Sequence, residues 1–198
     1  GYAPGEQPQD GSYVKLNTNE NPYPPSPRAI EAIRAAAGAA GDDLRKYPDP
    51  TADDARKIIA RLFGADINQV ICGNGSDELL TMVIRATLNP GDALAAADPT
   101  YSLYQTLTEL HGAQYEAHPC DDDFAMPVES LAASRAALMI VANPNAPTGL
   151  ATPPPRLREL ARSFSGLMVI DEAYADFADS SAVELAHTEP NVLVMRTL

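Results

Sequence analysis

Positive charge is scarce in this sequence: 14 lysines and arginines stand against 27 aspartates and glutamates, a formal net charge of -13 at pH 7. A protein that grips a phosphate backbone does so through a basic face that releases counterions, so nucleic acid is excluded as a partner and any phosphate must be held locally. Tryptophan is absent, and the two cysteines, Cys72 and Cys120, form no CxxC pair. Neither a disulfide framework nor a zinc site is indicated, which fits a reducing cytoplasm. No apolar run approaches the roughly 20 residues of a membrane helix, and no charged segment leads into an apolar one as a targeting leader does, so the expectation is a soluble cytoplasmic protein without a membrane partner. The three lysines, Lys15, Lys46 and Lys57, do not follow any strand-like apolar run and read as solvated charges.

What remains is an ordinary globular composition, 45% hydrophobic over 198 residues, long enough to bury a sizeable core in one domain. Residues 1–26 are rich in Pro, Gly, Asn and Gln and read as an extended arm of the kind that reaches a second subunit. Ser26-Pro27 suits the cap and first position of a helix ending near Gly38, and residues 41–50 read as a loop. Thr51, with Asp54 three residues on, resembles a capping box opening a helix whose Ile58, Ile59, Leu62 and Phe63 share one face, closed by Gly64.

From there, short apolar runs at 70–72, 93–97, 137–142, 167–170 and 192–195 alternate with mostly helical spacing. A βα alternation implies a largely parallel sheet covered by helices, with ligands beyond the carboxyl ends of the strands. The fold expected is therefore α/β, and the polar residues just after each apolar run become the candidates. Pro153 to Pro155 reads as the opening of a helix.

Four such segments stand out. Cys72-Gly73-Asn74-Gly75-Ser76-Asp77-Glu78 opens an amphipathic helix, where the N–H groups of Ser76 and Asp77 would favour a phosphate; a plain capped helix with Ser76 as N-cap fits equally well. The segment lacks the glycine spacing of dinucleotide and nucleoside-triphosphate loops. Asp98-Pro99-Thr100-Tyr101-Ser102-Leu103-Tyr104 follows the second apolar run and places Tyr101 at a helix's first turn, ready to stack on a flat ligand, although a core or surface tyrosine is the commoner explanation. Asn143-Pro144-Asn145-Ala146-Pro147-Thr148-Gly149 gives a rigid irregular backbone, as a binding loop or a simple turn would have. Leu167-Met168-Val169-Ile170-Asp171-Glu172-Ala173-Tyr174 delivers a carboxylate at a strand's end, able to hold a heterocyclic nitrogen protonated, with Tyr174 three residues on. Helix or turn capping is the bland alternative for Asp171. A metal-binding Asp-Glu pair is set aside because no phosphate loop accompanies it.

In this order and spacing the four segments resemble the fold type I pyridoxal-phosphate (PLP) aminotransferases over essentially the whole chain. Tyr2 to Gln7, Leu16 to Pro22, Tyr47-Pro48-Asp49-Pro50 and Val194-Met195-Arg196-Thr197-Leu198 resemble the histidinol-phosphate aminotransferases within that family. The resemblance implies a three-layer α/β/α PLP-binding large domain over residues 27–198, incomplete and without the smaller C-terminal domain, and a homodimer exchanging an amino group between histidinol phosphate and 2-oxoglutarate. It implies that Ser76 and Asp77 bind the PLP phosphate, Tyr101 stacks on the ring, Asp171 pairs with its nitrogen and Tyr174 touches its hydroxyl. Asp171, Tyr174 and Tyr101 become the catalytic candidates. Tyr47 is implied at the phosphate from the neighbouring subunit, and Tyr2 and Asn21 at the substrate.

Two departures stand against the family's pattern. Its asparagine before Pro-Thr-Gly is here Ala146, which leaves a hydrogen bond to the ring hydroxyl to a neighbour such as Asn145. Its Arg-Thr-Leu continues with Ser-Lys, the lysine holding the cofactor covalently, and the sequence stops at Leu198, so a chain of this extent is expected to be inactive alone. Related scaffolds serve aromatic-amino-acid aminotransferases and threonine-phosphate decarboxylases, which an amino-donor panel would separate. A non-catalytic scaffold on the same fold is the alternative from another class.

Overall fold

In the computed structural model, which describes residues 5–7, 11, 13–38 and 42–197, the chain divides into two compact units, residues 1–55 and 56–198. In the first, α1 (Pro27–Ala37) begins where the Ser26 hydroxyl accepts the Ala29 N–H at 3.2 Å and ends at Gly38, whose φ of 67° only glycine adopts cheaply. The stretch read as plain loop contains a 3-10 turn, Asp42–Arg45. The start of α2 (Asp53–Phe63) corrects the expected Thr51/Asp54 capping box. The Asp49 carboxylate takes the N–H of Asp53 at 2.7 Å and that of Thr51 at 3.1 Å, while the Thr51 hydroxyl is spent as a donor to Asp49 and Asp53.

The second unit is built on five parallel strands: β1 (Ala93–Asp98), β2 (Gln114–Pro119), β3 (Leu138–Ala142), β4 (Leu167–Glu172) and β5 (Val192–Arg196), in the order β2-β1-β3-β4-β5. β3, Leu-Met-Ile-Val-Ala, is buried at every position, as a strand covered on both faces must be. Alternate residues feed two cores. On one face Met139, Val141, Met168 and Ile170 pack with Leu131 of α5 (Val128–Ala133), Leu157 and Leu160 of α6 (Pro154–Ser163) and Leu185 of α7 (Leu185–Thr188). On the other, Leu94, Ala96, Leu138 and Ile140 pack with Leu80 and Ile84 of α3 (Ser76–Thr87) and Leu103 and Tyr104 of α4 (Leu103–Leu110). These are the expected three layers.

Two strand expectations change. Residues 70–72 form no strand; the Arg56 guanidinium takes the Val70 carbonyl at 2.8 Å and the Ile67 carbonyl at 2.7 Å, and Ile71 faces solvent. β2 lay hidden because its Gln-Tyr-Glu-Ala-His-Pro carries little apolar signal, as suits an outermost strand only partly covered.

β4 enters the sheet tightly at Gly166. A Cβ there would lie 2.5 Å from the Ala137 carbonyl oxygen and 2.9 Å from that of Ala136, both backbone atoms that cannot swing aside. Gly166→Ala is therefore expected to cost about 1–3 kcal/mol of stability, read as a lowered urea midpoint; an unchanged midpoint would show that β3 and β4 part more easily than their packing implies.

Candidate active site

Strand order reverses between β1 and β3, and in open parallel sheets the crevice at that point, beyond the carboxyl ends, is where ligands lie. The loops leaving the two strands are tied together there. The Asn145 side-chain carbonyl accepts the Thr100 hydroxyl at 2.7 Å, and its amide donates to the Pro99 carbonyl at 2.9 Å and to the Thr148 hydroxyl at 3.2 Å. Asn143, buried beneath, accepts the Thr152 N–H at 2.6 Å. Cis peptide bonds precede Pro99, Pro144 and Pro147. Asn145 thus acts as the clamp between the loops, and both its amide hydrogens are committed. To serve as a ligand donor in place of the family's asparagine it must give one of them up.

β4 runs beside β3 and carries Asp171 to the same end of the sheet, in register with Ala142. Its carboxylate is 5% exposed; one oxygen accepts the Tyr104 hydroxyl at 2.7 Å and the other the Ala173 N–H at 3.1 Å. Among the described residues it forms no ion pair. Burial pushes its pKa up, the Tyr104 and Ala173 hydrogen bonds pull it down, and the negative charge of Asp77 raises it again. Tyr104 keeps its own proton firmly, since burial and the adjacent Asp171 charge drive its pKa well above 10.0. The Tyr104 ring meets that of Tyr101 edge to face, centroids 5.6 Å apart, and the Tyr101 hydroxyl donates to Asp77 at 3.3 Å. A continuous line of side chains therefore links the buried carboxylate to the first turn of α3.

That first turn settles one alternative. The N-cap is Gly75, at φ 79°, and no side chain caps it; Ser76 is already helical, so the ordinary capped start with Ser76 as N-cap is corrected. Glu78 folds back onto the Asn74 N–H instead. The helix thus begins with backbone amides that no side chain has claimed and a positive dipole end, the setting that suits an anion. Among the described residues there is no cluster of metal-binding side chains.

The remaining candidates are distributed as follows. Tyr101 is half-buried and precedes α4 instead of lying in its first turn; the residue in that turn is Tyr104. Tyr174 is half-buried at the start of a 3-10 turn, Ala175–Phe177. In the first unit Tyr47 is exposed, and Asn21 is exposed with its side-chain oxygen on the Tyr23 N–H at 3.0 Å. Tyr2 lies outside the described residues. Sequence reading passed over Tyr104 as a site residue; its signal was the three-residue spacing from Tyr101, which puts both on one side of a helix's start.

A profile of the aminotransferases of class I and II matches residues 12–198. The chain belongs to this family. A histidinol-phosphate aminotransferase of Nostoc sp. is 46% identical over the whole chain, which covers 55% of it, and one of Burkholderia pseudomallei is 47% identical, again with 55% covered. The chain thus spans about half the length of the curated relatives it matches. Among solved structures, the histidinol-phosphate aminotransferase of Sinorhizobium meliloti in complex with pyridoxal-5'-phosphate superposes with a TM-score of 0.81 at 30% identity, over 91% of this chain and 50% of that one.

Proposed function

We propose that the complete protein is a cytoplasmic, homodimeric PLP-dependent aminotransferase that moves an amino group between histidinol phosphate and 2-oxoglutarate. The observation that carries the cofactor is the Asp171 carboxylate, buried at the strand ends with neutral donors and no cation among the described residues, in line with an uncapped helix start. A buried anion of this kind is best satisfied by a cation brought by the ligand, and a protonated ring nitrogen supplies one. A phosphorylated pyridine carries both charges this crevice fits.

When bound, PLP supplies the electron sink for the carbanion formed at the substrate. The protein's part is orientation and charge. Asp171 holds the ring nitrogen protonated. Ser76 and Asp77 receive the phosphate through their backbone N–H groups; the Asp77 carboxylate, like-charged to phosphate, is held aside by the Tyr101 hydroxyl at 3.3 Å. The Tyr101 ring covers one face of the pyridine, and Tyr174 approaches its hydroxyl. Asn145 keeps the loops after β1 and β3 in register, the crevice's floor. For Tyr2, Asn21 and Tyr47 the support is the family resemblance alone, which implies Tyr2 and Asn21 at the substrate and Tyr47 at the phosphate of the neighbouring subunit.

The substrate assignment is supported by the curated relatives at 46% and 47% identity, which are named for histidinol phosphate. The complete protein, loaded with PLP and offered histidinol phosphate, phenylalanine and threonine phosphate in turn, is expected to take histidinol phosphate best, with 2-oxoglutarate as acceptor. Equal or better use of phenylalanine would move the protein to an aromatic aminotransferase, and release of carbon dioxide from threonine phosphate would move it to a decarboxylase.

A further inference from the structure

Two neighbouring carboxylates end β4 and leave the strand toward different partners. Asp171 turns to Tyr104; Glu172, 1% exposed, turns to the segment that follows it. There it accepts the Ser181 hydroxyl at 2.7 Å and the Ala182 N–H, and it pairs with the Arg196 guanidinium at 3.0 Å. Arg196 is its register partner on β5, and the same guanidinium reaches Asp176 at 2.6 Å and the Ser181 hydroxyl at 3.2 Å while lying 5.2 Å from the Phe63 ring centroid. The next residue, Thr197, donates its hydroxyl to the Ala173 carbonyl at 3.0 Å.

Segment 173–182 is therefore fastened at four points, Ala173, Asp176, Ser181 and Ala182, and three of the four run through the Glu172/Arg196 pair. Tyr174 lies between the first two. An ion pair taken this far out of water contributes little net stability, because desolvation offsets the attraction; what it gives is one fixed geometry. The forked guanidinium matters to that geometry, since it holds two carboxylates on two elements at once.

We propose that Glu172 and Arg196 are positioning residues, which set Tyr174 relative to Asp171 by locking segment 173–182 across the ends of β4 and β5. Neither touches the ligand. The proposal rests on the PLP reading, since it assigns Tyr174 a partner on the ring.

The test uses the complete protein with PLP and the variants Arg196→Gln, Arg196→Lys and Glu172→Gln. Three quantities are compared: the pH midpoint of the bound cofactor's visible absorbance, kcat against KM for the amino donor, and the thermal midpoint. Arg196→Gln and Glu172→Gln are expected to shift the absorbance midpoint and lower kcat by roughly tenfold to a hundredfold with KM changed far less, the mark of a reacting group displaced by a fraction of an ångström. Arg196→Lys is expected to restore part of both, because its single ammonium can keep Glu172 but not Asp176 as well. Folded variants with an unchanged absorbance midpoint and an unchanged kcat would overturn the proposal, as would failure of both glutamine variants to fold, which would make the pair a purely structural one. An unsubstituted protein that bound no PLP would overturn the functional reading itself, before any variant is compared.

Discussion

Asp171→Asn in the complete protein is expected to lower kcat by roughly three orders of magnitude, on the order of 4 kcal/mol of transition-state stabilisation, while the protein still folds. Asparagine has the size of aspartate and its one oxygen can still accept the Tyr104 hydroxyl, so the change removes the negative charge together with the hydrogen bond from the Ala173 N–H and leaves the Tyr104 contact in place. What is lost is the only buried carboxylate among the described residues without a cation of its own; Glu172, its neighbour, is spent on Arg196, and Glu189 on Arg162. A neutral amide leaves a ring nitrogen free to lose its proton, and the bound cofactor then draws electrons from the substrate far less strongly. Retention of PLP on equilibrium dialysis is expected to weaken as well, since a charge pair formed out of water is exchanged for a neutral contact. The measurement is single-turnover kinetics of the amino-donor half-reaction in variant and parent. A kcat within tenfold of the parent would remove Asp171 from the chemistry and leave it a turn cap for Ala173.

The contrast between Asp171 and Glu172 also marks the limit of what the residues alone disclose. The parallel sheet was legible because β1, β3 and β4 are apolar runs buried on both faces and β5, an edge strand with Leu193 exposed, is an apolar run all the same; the position of Asp171 at a strand's end followed from that pattern directly. β2 was not, because its Gln-Tyr-Glu-Ala-His-Pro is only partly covered and carries little apolar signal, and residues 70–72 misled because an apolar triplet whose Val70 carbonyl goes to Arg56 forms no strand. Local chemistry near helix starts was legible only in part: Ser26 caps as its sequence suggests, whereas at α2 the Asp49 carboxylate takes the place expected of Thr51, and α3 starts at Gly75 with no side-chain cap. Partnerships between residues far apart in the chain, Asn145 with Thr100, Tyr104 with Asp171 and Arg196 with Glu172, left no trace in spacing or composition. They arise from register, which the order of strands fixes and no single segment contains.

Tyr104 is the residue on which that hidden part of the site turns, and Tyr104→Phe is expected to cost about 1.5–3 kcal/mol of unfolding free energy at neutral pH, the usual worth of a hydrogen bond to a charged group. The ring and its packing survive; only the donor at 2.7 Å from Asp171 is removed. The loss should depend on pH with a defined sign. Burial, the first cause, raises the folded-state pKa of Asp171 above 3.8, and the Tyr104 hydrogen bond is the largest influence pulling it back down. Without that bond the folded pKa rises further. A carboxyl whose folded pKa is raised destabilises the fold at every pH above that pKa, and the penalty disappears as pH falls through it and is gone below the unfolded value. The variant, with the higher folded pKa, is relieved first, so the gap between parent and variant is widest at neutral pH and narrows on acidification. Asp77 is unchanged in both and keeps acting in the same direction. Urea unfolding of both proteins between about pH 4 and pH 7 reads this directly, and the same comparison in an Asp171→Asn background should show a gap that no longer varies with pH. A gap that stayed constant for the proteins retaining Asp171 would mean that the Tyr104 hydroxyl does not serve the Asp171 anion in solution, and the line from the buried carboxylate to the start of α3 would be broken at its first link.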